Sequence, residues 1–112
     1  MQARLRLRGD KTFNEIHQTG RNVANKFLVL RTLPNKLDHN RFGILVSKRI
    51  GNSVTRNRLR RRLREILRQN SLRTGWDVVF IARKGIEQVN FHQCKEATNS
   101  LLQRSKLLSR KF

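Results

Sequence analysis

Residues Ser53 to Arg68 constrain the fold of this chain more than any other segment. Leu59, Leu63, Ile66 and Leu67 recur at i, i+4, i+7 and i+8, the spacing of an amphipathic helix with one apolar stripe. Such a helix has to lie against a second layer, because its stripe is too apolar to face water. Seven arginines (56, 58, 60, 61, 62, 64 and 68) share the same sixteen residues. At about 100° per residue, Asn57, Arg60, Arg61, Arg64, Glu65 and Arg68 fall opposite the stripe, and Arg56, Arg58 and Arg62 flank it. In isolation this helix is electrostatically poor. Arg56 and Arg58 lie near the N-terminal end, where the helix dipole disfavours cations. The pairs Arg56/Arg60, Arg58/Arg62, Arg60/Arg64 and Arg64/Arg68 each cost about 0.2–0.5 kcal/mol, with Glu65 the one acid to offset them. A polyanion reverses the sign of these terms, so the helix reads as a phosphate-binding surface.

The rest of the composition agrees. With 26 basic and 7 acidic residues the net charge is +19, and 112 residues make one domain able to bury a single core. This charge points to nucleic acid as the partner. Most of the cations are arginine, which favours bidentate phosphate contacts and stacking on unpaired bases. A membrane-surface role is the main competitor, but the chain carries no lipidation motif and no apolar run long enough to span a bilayer. Its Arg-rich N-terminus lacks the hydrophobic stretch of a secretory signal. A lone cysteine, Cys94, rules out an internal disulfide and fits a reducing, bacterial-type cytoplasm.

Along the chain, residues 1–9 read as a mobile basic arm of a single RNA-binding domain, 1–112. Asp10 to Thr19 reads as a first helix, with Asp10 as N-cap, Phe13 and Ile16 on one face, and Gly20 as its stop. Asn22 to Leu33 reads as one strand, with Leu28 and Leu30 on one face and Phe27, Val29 and Arg31 on the other. Pro34 to Asn40 forms a polar turn, and Arg41 to Lys48 a second strand. There is room for a short extra strand over Lys48–Ile50. Trp76 to Ala82 is a continuous apolar run, as expected of a strand covered on both faces. Asn90 with Gln93 forms a capping box, and the helix behind it places Phe91, Cys94, Ala97, Leu101 and Leu108 on one side. The order is αββαβα, an α+β sandwich of helices on a sheet of at most four strands. If the strands flanking the basic helix are parallel, the general rule predicts a right-handed crossover.

No catalytic constellation assembles from these residues. The acids Asp10, Glu15, Asp38, Glu65, Asp77, Glu87 and Glu96 are scattered, with no pair suited to a two-metal nuclease site. His17, His39 and His92 have no metal-ligand spacing with one another or with Cys94, which falls on an apolar helix face as a core residue. There is no phosphate-binding glycine loop. The residues alone describe an RNA- or DNA-binding module. A sheet face with Phe27, Val29 and Arg31, beside Phe13 and His17, suits stacking and cradling of a single strand. Phe13 taken alone fits a core position equally well.

The segment Ser47-Lys-Arg-Ile-Gly-Asn-Ser-Val-Thr-Arg-Asn-Arg-Leu-Arg-Arg-Arg-Leu-Arg-Glu65 closely resembles the signature of the protein subunit of bacterial ribonuclease P, where an Arg-Asn-Arg motif opens a basic helix. Asp10-Lys-Thr-Phe13, Gly20, Val23-Ala24-Asn25, the strand through Leu33 and Ile81-Ala-Arg83 stand where that family has similar segments, so the resemblance spans about residues 4 to 108. It implies a non-catalytic partner of a Mg²⁺-dependent catalytic RNA, within an endoribonuclease that removes the 5′ leader of precursor tRNA. It implies a left-handed βαβ crossover in place of the right-handed one. It also implies two RNA-binding surfaces. Lys48, Arg49, Arg56, Asn57, Arg58, Arg60, Arg61, Arg64 and Arg68 match the part that faces the RNA subunit and the cleavage site. Phe13, His17, Phe27, Val29 and Arg31 match the leader cleft, with His17 and Arg31 standing where many members have aromatics. The implied partners are the ribonuclease P RNA and precursor tRNA; no protein partner, membrane or protein-bound metal is expected. Two other functions share the charge and size: a general RNA-binding or ribosomal protein, which lacks the signature, and a stand-alone endonuclease, which would cleave precursor tRNA without RNA.

Overall fold

A computed structural model describes residues 21–109 of the chain. The expected helix over Asp10–Thr19 and the basic arm lie outside the described residues. Three strands come first: β1 (Arg21–Ala24), β2 (Leu28–Pro34) and β3 (Arg41–Leu45). The basic helix α1 (Ser53–Arg68), strand β4 (Trp76–Ala82), a short 3-10 turn over Ile86–Gln88 and helix α2 (Phe91–Arg104) follow. The sheet runs β1-β2-β4-β3. β4 pairs antiparallel with β2 and parallel with β3, so β3-α1-β4 is a βαβ unit inside an α+β fold.

Alternation decides which side of each strand meets the helices. Leu28, Leu30, Val78, Phe80 and Ala82 join Leu59, Leu63, Ile66 and Leu67 of α1 and Cys94, Leu101 and Leu102 of α2 in one core. The central strand is covered on both faces, as its apolar run requires: Val79 on the far face is also buried and packs with Leu33 and Ile81. Arg41 and Asp77 are cross-strand partners. Arg41 donates to Asp77 Oδ1 at 2.8 Å and Oδ2 at 2.6 Å, and Asn35 Nδ2 donates to Oδ1 at 3.0 Å, so this buried carboxylate is fully engaged.

Three sequence expectations are corrected here. The single strand over Asn22–Leu33 is a hairpin, broken at Asn25-Lys26-Phe27. Asn25 Oδ1 accepts from the backbone N–H groups of Phe27 and Leu28, each at 3.0 Å, so the side chain builds the turn that Gly or Pro usually signals. The second strand stops at Leu45, and Ser47–Ile50 is a turn closed by Ile50 N donating to Ser47 O at 3.1 Å, not an extra strand. Finally, α2 ends at Arg104 and does not reach Leu108. Lys106 adopts the left-handed conformation (φ 62°), while its N–H reaches Gln103 O and that of Leu107 reaches Leu102 O. Those paired bonds are the Schellman ending of a helix. Leu108 then bridges to Leu72.

Candidate nucleic-acid interface

The basic helix starts on Asn52, whose side chain accepts from Thr55 N at 2.9 Å. Gly51 precedes it because space is short there: a Cβ would lie 3.0 Å from Thr55 Cγ2. From this fixed start, all four stripe residues are buried, three of them with no accessible surface. The opposite side carries the cations. Arg58, Arg61 and Arg68 are exposed, and Arg56, Arg60 and Arg64 are half-buried. Lys48 and Arg49, in the turn before the helix, are exposed as well. These residues form a basic surface continuous from residue 48 to residue 68.

Two arginines of α1 also reach back to the fold. Arg62 Nη1 donates to Val89 O at 3.0 Å, and Arg58 Nη2 to Glu87 O at 3.2 Å. Both reach the segment between β4 and α2, so the flanks of the stripe bolt the helix to the fold. Arg60 Nη1 donates to Asn57 Oδ1 at 3.0 Å, which orders the middle residue of the Arg-Asn-Arg motif. Arg68 pairs with Glu65. Arg56 Nε is shielded from solvent and makes no hydrogen bond among the described residues. Sequence periodicity placed Arg62 beside the stripe, but its acceptor lies 27 residues away, and no local pattern marks it.

The segment that receives these arginines is itself held by local contacts. Gly85 takes a φ of 111°, which a side chain would strain, and its N–H donates to Glu87 Oε1 at 2.6 Å. Lys84 Nζ lies 3.3 Å from the other oxygen of Glu87. The carboxyl is held below its usual range, first by the backbone N–H of Glu87 itself and then, against some burial, by Gly85 N–H and Lys84. Near by, burial pushes the Cys94 thiol up, which the charge of Arg62 only partly opposes. Cys94 is a neutral core group and not a thiolate.

The second expected surface is only partly assembled among the described residues. Val29 and Arg31 stand on the side of β2 away from the helices, where their cross-strand partners are Ile81 and Val79 on β4 and Ala24 and Asn22 on β1. Phe27 does not join them. It sits in the turn, packs against the helix-side core, and lies 3.9 Å from the position a Cβ of Gly85 would take. The Asn25 turn interrupts the strand alternation on which the expectation rested. Phe13 and His17 lie outside the described residues. Among those residues no group of three or more His, Cys, Asp and Glu could hold a metal ion, and no helix is long and apolar enough to cross a membrane.

Comparison with known proteins gives a uniform result. The family model described as Ribonuclease P matches residues 1–106. The ribonuclease P protein component of Caldanaerobacter subterraneus subsp. tengcongensis is 43% identical over 108 residues, covering 95% of this chain and 93% of that one. That of Alkaliphilus metalliredigens is 37% identical over 111 residues, covering 97% and 100%. Among solved structures, a Staphylococcus aureus RNase P protein superposes with a TM-score of 0.87 at 31% identity, covering 94% of this chain and 98% of that one. A Thermotoga maritima RNase P protein, in complex with 1-(4-fluorophenyl)-2-thiourea, superposes with a TM-score of 0.83 at 35% identity, covering 88% and 98%. The chain belongs to the ribonuclease P protein family, whose members are subunits of the endoribonuclease holoenzyme ribonuclease P and serve tRNA processing.

Proposed function

We propose that the chain works as a two-sided RNA adaptor in a bacterial cytoplasm. One side holds the ribonuclease P RNA near the cleavage site, and the other takes the 5′ leader of precursor tRNA. The first side is α1 with its leading turn: Lys48, Arg49, Arg56, Asn57, Arg58, Arg60, Arg61, Arg64 and Arg68. The carrying observation is the division of this one helix, its apolar stripe wholly buried and its outer face cationic with Glu65 alone to neutralise it. The buried Nε of Arg56 is a donor that an RNA phosphate would satisfy. The second side is the far face of the sheet, with Val29 and Arg31; Phe13 and His17, which the resemblance assigns to the same role, lie outside the described residues. Mg²⁺ enters with the RNA, which supplies the hydrolytic chemistry; this chain binds and orients.

The test is reconstitution with ribonuclease P RNA, followed by dissociation constants for precursor tRNA and mature tRNA. Loss of a stacking platform for an unpaired base costs about 1–3 kcal/mol, so Arg31→Ala and Phe13→Ala are each expected to weaken precursor binding by that amount and leave mature tRNA unaffected. Replacing Arg56 and Arg58 together by alanine is expected to impair assembly or cleavage whatever the leader length. Equal losses for both tRNAs in folded Arg31→Ala and Phe13→Ala would remove the leader cleft from this reading. Cleavage of precursor tRNA by RNA-free protein would overturn the adaptor role altogether.

A further inference from the structure

An acid stands beside the Arg-Asn-Arg motif, and the reading of α1 as a phosphate-binding face gives it no part. Glu87 lies in the 3-10 turn over Ile86–Gln88, and its backbone O accepts from Nη2 of Arg58, the last residue of the motif, at 3.2 Å. By charge alone a carboxylate in this place works against RNA, because it repels the phosphates that Arg58 is expected to meet. The side chain is turned inward, however, and is only 12% exposed. What it does there is local and mechanical.

The carboxylate builds the turn that carries its own carbonyl. Gly85 N–H donates to Glu87 Oε1 at 2.6 Å, and Lys84 Nζ lies 3.3 Å from Oε2, so both oxygens are drawn onto the residues that lead into the turn. The backbone closes around them: Ile86 N donates to Arg83 O at 3.2 Å, Gln88 N to Gly85 O at 3.1 Å and Val89 N to Ile86 O at 3.3 Å. Ile86 has no accessible surface and belongs to the same core as Leu59 and Leu63 of α1. The turn is therefore anchored from below by Ile86 and folded from above by Glu87. The carbonyls of Glu87 and Val89 then receive Arg58 and Arg62, one helical turn apart on α1. Arg62 is half-buried, whereas Arg58 is exposed. A guanidinium carries several N–H donors in one plane, so a bond through Nη2 alone orients that plane and leaves other donors for a phosphate.

We propose that Glu87 is a positioning residue for RNA binding: its side chain sets the turn whose carbonyl holds the Arg58 guanidinium in the plane that meets an RNA phosphate. Holding Arg58 before the RNA arrives spares the loss of side-chain freedom that binding otherwise imposes on a long arginine. Glu87 itself touches no RNA and acts through Arg58. The proposal rests on the reading of α1 as the face for ribonuclease P RNA, and it reverses the sign that charge alone gives to an acid in this place.

Dissociation constants of the full chain for ribonuclease P RNA, taken for single and double variants well below their thermal midpoints, test this. Arg58→Ala is expected to weaken binding about tenfold, and Glu87→Ala about three- to tenfold. Glu87→Gln keeps an oxygen for Gly85 N–H and drops the charge, so it is expected to bind at least as tightly as the wild type. In the Arg58→Ala background Glu87→Ala is expected to cause no further loss, because the residue it positions is gone. Unchanged or tighter binding by Glu87→Ala would reduce Glu87 to a repelling charge and overturn the proposal. So would a loss in Glu87→Ala that persists undiminished without Arg58, since that would mark a contribution to the fold alone. Wild-type affinity in Arg58→Ala would strike Arg58 from the RNA face and take the proposal with it, a failure of the underlying reading that neither of the other two outcomes produces.

Discussion

Arg61 and Arg62 are neighbours with the same charge and opposite duties. Arg61 is exposed, whereas Arg62 donates to Val89 O at 3.0 Å and is half-buried. Truncating Arg62 strips a carbonyl of a charged donor, a loss of about 1–3 kcal/mol. Arg61→Ala removes like-charge crowding and stays within about 0.5 kcal/mol of neutral. Thermal unfolding of the two variants is expected to show a clear fall for Arg62→Ala alone; equal midpoints would mean that the Val89 tether carries no stability. Glu87 has a comparable role in the segment that receives these arginines. Its carboxyl is depressed below the ordinary 4.5, chiefly by its own backbone N–H. A depressed carboxylate contributes stability that is present above the unfolded value and is lost as pH falls through the folded one. The melting temperature is therefore expected to fall as the solution is acidified below about pH 4.5, and Glu87→Gln to flatten part of that fall. An acid limb of the same steepness in Glu87→Gln would place the titration elsewhere.

At the scale of elements, α1 and β4 have the bounds their sequence pattern predicts, because each carries an unbroken period: 3.6 residues in one, a continuous apolar run in the other. The elements misread are those whose ends depend on a side chain or on one backbone angle. Asn25 splits the first strand through its own carboxamide, and Nδ2 reaches on to Ala97 O in α2 at 3.0 Å, a contact no local pattern contains. The end of α2 turns on Lys106, where no glycine announces the left-handed residue. The binding surface divides in the same way. The outer cations of α1 could be read from the period, since helix geometry alone sets that face. The tethers of Arg58 and Arg62, and the turning of Phe27 toward the core, depend on contacts made only after the chain closes on itself. The stripe gives the sharpest check on this layer. Leu63 is fully buried, so Leu63→Ala is expected to cost about 2–5 kcal/mol in denaturant unfolding. A loss no greater than that of Arg61→Ala would mean that the faces of α1 are reversed.

For the whole molecule, the sheet separates the two proposed surfaces: α1 and α2 pack on one face, and Val29 and Arg31 stand on the other. A charge of +19 spread over a chain this small gives a field that attracts any polyanion, so specificity has to come from where the fold holds its cations still. Counterion release makes this measurable. If about six phosphates are neutralised, log K for ribonuclease P RNA is expected to fall against log[salt] with a slope of roughly −4 to −5, at about 0.7–0.9 per contact. A single exposed cation that touches phosphate takes its share of the slope with it, so Arg61→Ala is expected to lower the slope by about 0.7–0.9. Arg62→Ala is expected to leave the slope unchanged while weakening the fold, because its guanidinium is already committed to Val89 O. Binding isotherms of the two variants over a range of salt concentrations decide the matter. A wild-type slope near −1 would remove the arginine face of α1 as the main phosphate contact. A slope lowered equally by both variants would mean that the Arg62 tether opens when RNA binds.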